Sequence, residues 1–312
     1  MHIRTIVALL AACAFAEPAF AQAPPAAPLV LQLPATARAA ALGDAWVTGR
    51  DSEVIFYNPA QIIGASRTFG VTLGRPGPGS TSLTAASSYA AGKYSLTLGW
   101  GARLLDFRVD PAAAYPYTAD DLLTKGAADG QSLLLTFGGA IVYRNFRIGG
   151  AAKFLSDRVS SMPADPVFVS VNQHAWVADI GVSRTIWGGT AAFAAQNLGR
   201  TTAVDATTLI TPRQFLAGYT WGRGAGPLDL NLYGQVTMRK DWWSPAGGVE
   251  VGYSWIEGYN VTLRAGVRRP LTSREQPIAI GAALAADRLT VEYGVQFFEN
   301  AHPSHLVTVR WR

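Results

Sequence analysis

From about residue 68 to the C-terminus, apolar and polar positions alternate with period two. Successive side chains on a strand point to opposite faces, so the pattern predicts a sheet with one apolar and one polar face. Leu289-Thr290-Val291-Glu292-Tyr293-Gly294-Val295-Gln296-Phe297 is the clearest stretch, with apolar or aromatic residues at odd positions and polar residues or Gly at even ones. Leu228 to Met238, Tyr259 to Arg268 and Tyr94 to Trp100 repeat it. About fourteen such segments are expected, centred near residues 71, 86, 99, 137, 150, 179, 192, 217, 232, 251, 263, 281, 293 and 307. Each is about nine to eleven residues long, enough for a tilted strand to cross a bilayer.

The connections alternate as well. Tight turns are expected at Ala90–Lys93, Arg144-Asn145, Thr185–Gly188, Gly222–Pro227, Ile256–Gly258 and Asp287. Between them fall mostly longer loops, at about 105–130, 157–173, 198–211, 239–245, 269–276 and 298–304. In outer-membrane barrels short turns lie on the periplasmic side and long loops outside. Beside the tight turns stand Tyr89, Tyr94, Tyr143, Phe146, Trp187, Tyr219, Trp221, Trp255, Tyr259 and Trp311. Toward the opposite ends stand Trp100, Phe154, Trp176, Phe215, Trp242 and Phe297. Amphipathic rings favour the membrane–water interface, so these read as two girdles. A sheet edge in hydrocarbon finds no water, so a spanning sheet must close on itself. The expectation is all-β: a closed antiparallel transmembrane β-barrel of about 14 strands over residues 67–312, with a short N-terminal plug. The alternative is a soluble β-protein in which these rings are ordinary core.

Composition narrows the choice. Charged residues make up 15% of the chain, against about 25% in soluble domains. No stretch reaches the roughly 18–20 consecutive apolar residues of a spanning helix. The single cysteine, Cys13, lies in the leader, so the mature chain has no disulfide and no thiolate metal site. The net charge is +5, but the basic residues are scattered along the chain. A nucleic-acid binder gathers them on one face, and that class is set aside.

Residues 1–21 have the form of a secretory signal: Arg4, an apolar run from Ile6 to Ala16, and the small-x-small site Ala19-Phe20-Ala21. Leu10-Ala11-Ala12-Cys13 offers a rival, a lipoprotein signal with Cys13 lipidated. Ala23 to Pro28 then reads as a flexible lead-in.

Residues 34–62 break the strand pattern, and residues 22–66 are assigned to the lead-in and plug. The segment carries Arg38, Leu42-Gly43, Asp51 and Tyr57-Asn58-Pro59-Ala60. It resembles the N-terminal signature of the long-chain fatty-acid porin superfamily, and within it the PorV/PorQ-like barrels. Phe193 to Gly199, with Asn197-Leu198-Gly199, resembles a recurrent strand end in those barrels. The resemblance implies a fourteen-stranded barrel partly filled by the N-terminal segment. In fatty-acid porins this hatch moves when ligand binds and the ligand leaves sideways; PorV-like barrels assist protein secretion and cargo attachment. Taken alone, Asn58-Pro59 is a turn signal, and Ala37 to Val47 has room for about two helical turns before Gly49. A periplasmic tail ending in a turn is the competing reading.

Candidate chemistry is sparse. Alternation places Arg103, Arg147, Lys153, Asp179, Asp229, Glu250, Arg264, Arg268 and Glu292 toward the lumen. Mixed signs predict cross-strand pairs or water contacts, since unpaired buried charge is costly; a selectivity ring is the alternative. Leu104, Leu105, Phe107, Tyr115, Tyr117, Leu122 and Leu123 are expected to form an apolar ligand groove in the long outer loop. Arg158, Arg200, Arg239-Lys240 and Arg268-Arg269, near Trp242 and Trp243, are candidates for phosphates of surface glycolipid. His302 with His305 could suggest a metal, and His174 with Ser170 a hydrolase, but neither pair has an arguable third member. No cofactor motif and no catalytic motif is present. The expected function is a plug-gated channel or transporter for a small solute, hydrophobic in one version. The alternative is a non-transporting scaffold for secretion-system proteins.

Overall fold

The computed structural model describes residues 27–65, 67–91, 95–110, 113, 117–124, 126–160, 171–199, 203–204, 207–208, 211, 213–240, 242–271 and 274–312. The signal segment, most of the Ala/Pro lead-in, Tyr94, Tyr115, Ser170 and Arg200 lie outside them.

The alternating segments become fourteen strands: β1 (Thr68–Arg75), β2 (Thr81–Ala91), β3 (Leu96–Val109), β4 (Ala128–Tyr143), β5 (Phe146–Ser160), β6 (Val171–Ile186) and β7 (Gly189–Leu198). The second half comprises β8 (Gln214–Ala225), β9 (Leu228–Arg239), β10 (Trp242–Ile256), β11 (Tyr259–Arg268), β12 (Glu275–Ala286), β13 (Leu289–Phe298) and β14 (Ser304–Trp311). Each pairs antiparallel with its sequence neighbours, and β14 returns to β1 with Phe69 opposite Trp311 and Arg75 opposite His305, closing a barrel. Every predicted centre falls inside a strand. Left-handed residues turn the chain at the tight connections: Arg144, Trp187-Gly188, Gly226, Gly258 and Asp287. Turns of this hand match the twist of the strands they join.

Strand length differs from the expectation. β3, β4, β5 and β6 run 14, 16, 15 and 16 residues. They continue into the predicted loops 105–130 and 157–173, and β10 absorbs most of 239–245. Alternation persists there while the outward face turns polar. In β3, Leu105, Phe107 and Val109 point inward and are buried, and Asp106 and Arg108 point outward and are exposed. Below this polar rim the outward face is apolar: Leu73 is 62%, Phe137 58% and Leu263 62% exposed. Trp100, Trp176, Phe215 and Trp243 also face out. Trp242 departs from the expected girdle; it faces inward, buried, with the Arg239 guanidinium 5.4 Å from its ring centre.

Residues 27–65 fill the interior as two short helices, α1 (Leu29–Gln32) and α2 (Ala37–Ala41), and two 3-10 segments, Ser52–Phe56 and Pro59–Ala65. Thr36 caps α2 by accepting the Ala39 N–H at 3.0 Å. The expected helix to Val47 stops at Ala41, because Gly43 and Asp44 both adopt φ of 64°. A left-handed residue after the last turn is an ordinary helix terminator. Here the wall also requires a glycine, since a Cβ on Gly43 would sit 2.6 Å from the Val267 carbonyl oxygen. The hydrophobic core lies between plug and wall: Trp46, Ile55, Phe56 and Ile62 pack in the same barrel as Leu105, Leu134 and Leu155.

Candidate functional site: a plugged, charge-lined lumen

The inward faces of β10, β11, β13 and β14 present Glu250, Arg264, Glu292 and Arg310; Glu250 and Arg264 are cross-strand partners, and Arg264 reaches Glu292 across β12. Arg264 bridges Glu250 at 3.1 Å and Glu292 at 3.0 Å. Arg310 reaches Glu292 at 3.1 Å, and from the plug Asp51 at 3.2 Å and Glu53 at 3.3 Å. Arg38 of α2 forks onto Glu250 with both nitrogens at 2.6 Å, and its guanidinium lies 4.6 Å from the centre of the Trp46 ring. Trp46 in turn donates to Asp51 at 3.1 Å. The array thus holds Arg38, Arg264 and Arg310 against Glu250, Glu292, Asp51 and Glu53. Burial raises the Glu53 carboxyl above the ordinary range, against the pull of Arg310.

Beside this array, Asp44 accepts the Tyr57 hydroxyl at 2.8 Å and meets Arg268 at 3.6 Å, while Arg268 also pairs with Glu275. Burial raises the Asp44 carboxyl too, partly offset by Arg268. Across the lumen, Lys153 pairs with Asp179 at 2.5 Å. Asp179 also accepts the N–H of Asn197, which is left-handed at a register slip between β6 and β7. The Asn197-Leu198-Gly199 stretch therefore sits at a β-bulge, where an extra residue must be accommodated.

Wall side chains also bind plug backbone. Arg103 donates to the Leu33 and Pro34 carbonyls at 2.9 and 3.0 Å. Gln196 donates to those of Phe56 and Tyr57, both at 2.8 Å. Gln235 accepts the Val47 N–H at 2.8 Å, and Thr308 accepts the Ala37 N–H at 2.9 Å. Each such bond satisfies a backbone group that would otherwise be stranded away from water.

Asn58-Pro59-Ala60 has a local role and a wall role. The Asn58 side chain accepts the Ala60 N–H at 3.0 Å, fixing the turn, and donates to the Val47 carbonyl at 3.1 Å. Gly181 and Gly149 make room for it. A Cβ on Gly181 would lie 1.9 Å from the Asn58 Oδ1, and one on Gly149 would lie 2.5 Å from the Ala60 nitrogen.

The remaining predicted residues separate by position. Arg147 faces inward and donates to Gln61 at 3.1 Å. Asp229 lies on the inward side but at the exposed tight-turn end. Leu104, Leu105 and Phe107 belong to β3 instead of a loop, and Leu104 faces outward, in register with Leu133. Phe107 packs edge-on against Tyr117, with ring centres 6.0 Å apart. Leu122 and Leu123 are buried in the 3-10 segment Ala119–Leu123. In place of an open groove, this segment joins Leu29 and Val30 in the core at the loop end of the lumen. Of the proposed glycolipid cluster, Arg239 and Arg268 turn inward, because they share the lumen parity of their strands. Arg158 remains outward, beside the Arg108–Asp129 pair, around a surface groove of about 480 Å³. Arg269 is held by the Trp243 carbonyl at 3.0 Å. His305 hydrogen-bonds the Tyr293 hydroxyl at 2.6 Å, and His174 lies against Phe154. Among the described residues no group of three metal-ligating side chains occurs.

No protein-family model matches the sequence, and no curated protein matches it. Solved structures do. The Ralstonia pickettii toluene transporter TbuX superposes with a TM-score of 0.56 at 12% identity, covering 89% of this chain and 98% of that one. A Pseudomonas aeruginosa FadL homologue gives 0.57 at 11% identity, covering 92% and 98%. The Pseudomonas putida toluene transporter TodX gives 0.58 at 8%, covering 88% and 97%. The fold is the one that these three barrels share.

Sequence reasoning passed over Arg310, which among the described residues has the most charged partners. Its signal was present. Leu306, Thr308 and Arg310 share one parity in β14, and Val307, Val309 and Trp311 share the other. Glu53, Asp44 and Glu275 were passed over for a different reason, since nothing local marks a plug or rim acid as a partner for a particular wall cation.

Proposed function

We propose that the chain is an exported outer-membrane barrel, with residues 1–21 as its signal peptide, acting as a plug-gated channel or transporter for small solutes. One observation carries the reading: the outward face is an apolar belt, and the inward face is polar and occupied by a separate N-terminal segment. Contiguous apolar patches of such extent are rare on soluble monomers, and a bilayer is the natural cover for this one. The solved barrels of the same fold include two toluene transporters, which favours a small and hydrophobic solute. Outward Arg158 and exposed Lys240 remain, with Arg269, as candidates for contact with glycolipid phosphate.

The membrane assignment has a direct test. Leu263→Arg places a cation at mid-belt and is expected to cost about 2–4 kcal/mol of barrel stability in lipid vesicles. Unchanged urea unfolding of the vesicle-inserted protein would sink the assignment.

A second reading has its own support. The plug is fastened by buried ion pairs and side-chain bonds at many points, which suits a scaffold of the PorV/PorQ kind that serves secretion partners without conducting. Liposome swelling separates the two. The channel reading expects slow solute uptake by the intact barrel and faster uptake after deletion of residues 22–60. Inactivity of both proteins favours the scaffold.

A further inference from the structure

Two arginines stand on the outer surface at the tight-turn end of β4, β5 and β6. Tyr143 of β4, Phe146 of β5 and Arg184 of β6 form one cross-strand row, with Tyr143 opposite Phe146 and Phe146 opposite Arg184. All three are exposed and share the outward parity of Phe137, Ile148 and Ile180 in the apolar belt. The Arg184 guanidinium lies 4.9 Å from the centre of the Phe146 ring. That of Arg144, in the β4–β5 turn, lies 5.4 Å from the centre of the Tyr143 ring. Tyr143 and Phe146 are direct partners, so the two cations sit over neighbouring rings. The next turn along the rim carries Trp187, which is 88% exposed. The Tyr219 hydroxyl fixes that turn by donating to the Ile186 and Trp187 carbonyls at 3.2 and 3.1 Å.

Among the described residues no carboxylate comes within 4.0 Å of either guanidinium. The carboxylates at this end, Asp229, Glu257 and Asp287, stand on the β9–β13 side of the wall. The opposite rim differs, since outward Arg108 there pairs with Asp129 at 2.8 Å. Contact with a ring uses one face of a guanidinium and leaves its N–H fork free for an oxyanion. A row of rings at a barrel end marks the depth of the lipid headgroups, and tight turns mark the periplasmic end. The two cations therefore lie level with lipid phosphates. We propose that Arg144 and Arg184, with Trp187 beside them, bind the phosphate of an anionic phospholipid in the periplasmic leaflet. The guanidinium forks take its phosphate oxygens, and its acyl chains run along outward Ile148 and Ile180. Two cations without a counter-charge favour a headgroup of net negative charge over a zwitterionic one, whose own cation they repel. The inference rests on the membrane reading above and is independent of what crosses the lumen.

Native mass spectrometry of the full barrel can count the lipids that stay bound on release from detergent. Phosphatidylglycerol and phosphatidylcholine are supplied at equal concentration, and an excess of retained phosphatidylglycerol is expected. Arg144→Gln and Arg184→Gln should each lower that excess about fivefold, the effect of one cation beside an anionic lipid surface. Arg108→Gln, at the opposite rim, should leave it unchanged. Both patch arginines are exposed, and a retained heat-modifiable gel shift verifies that each variant is folded. Equal retention of the two lipids by the parent protein, or an undiminished excess in the double variant, overturns the site. So does binding of polyglutamate that depends on the two arginines without any lipid preference, which would mark an acidic protein as the occupant. Insertion into phosphatidylcholine vesicles is scored separately by the same gel shift. A barrel that inserts and shows no preference loses this site alone, whereas one that does not insert loses the membrane assignment with it.

Discussion

Arg310→Ala is expected to loosen the plug while the barrel wall stays closed. The substitution leaves Asp51, Glu53 and Glu292 buried together with their shared cation gone. Removing one partner of a buried pair costs about 3–5 kcal/mol, because the other charge stays desolvated and unpaired. The wall loses less. The β1–β14 and β13–β14 ladders are backbone hydrogen bonds and do not depend on that side chain. Limited trypsin digestion reads the difference, since Arg38 and Arg50 lie in the plug. Faster cleavage there is expected, alongside a retained heat-modifiable gel shift. Arg264→Met is the informative comparison: Glu250 keeps Arg38 and Glu292 keeps Arg310, so its effect should be smaller. Equal protease resistance of Arg310→Ala and the parent protein would show that the ion array does not hold the plug.

Gly266→Val acts on the same joint by shape instead of charge. A Cβ at this β11 position would lie 2.2 Å from the Leu42 carbonyl carbon and 2.3 Å from the Gly43 nitrogen. Both are backbone atoms at the end of α2, so no side-chain rotation relieves the overlap. Overpacking of this kind costs about 1–3 kcal/mol when neighbours can shift, and more here because the helix end must move bodily. Valine suits a strand, so the wall itself should tolerate it. Gly234→Val is the control, because a Cβ there meets nothing within 4 Å. Hydrogen exchange of the amides of residues 37–47 should accelerate in Gly266→Val and stay slow in Gly234→Val. Identical protection in both would mean that the plug does not rest on β11 as described. If the plug gates a pore, both Arg310→Ala and Gly266→Val should also raise solute uptake into liposomes.

The two substitutions probe one design from opposite directions. Small wall residues let the plug backbone approach, and large charged wall residues then grip it. Together they hold the segment firmly in one place without a covalent link, as where Arg103 donates to the Leu33 and Pro34 carbonyls.

Strand existence and facing were legible in the chain, because period two is a local property: Leu263 and Arg264 had to point to opposite sides whatever they met there. Helix length in the plug was not legible, since Ala37 to Val47 has residues compatible with a longer helix and only the approach of Val267 demands the turn at Gly43. The ligand groove was misplaced because an apolar run reads alike in a loop and on the lumen face of an extended strand. Arg239 was assigned to an outer loop because its position at a strand end hid its inward parity; Arg268, which alternation placed on the lumen face, was also counted with that loop cluster and proved to face inward.

By itself, then, the sequence determined the number of barrel strands, the face taken by side chains in mid-strand, and the presence of a segment that is not strand. Pairing across distance was decided only by the closed barrel. Arg310 and Asp51 stand 259 positions apart, and no local pattern couples them. Closure of β14 onto β1 brings them to the same lumen, where low solvent access makes a salt bridge the only economical state for either charge.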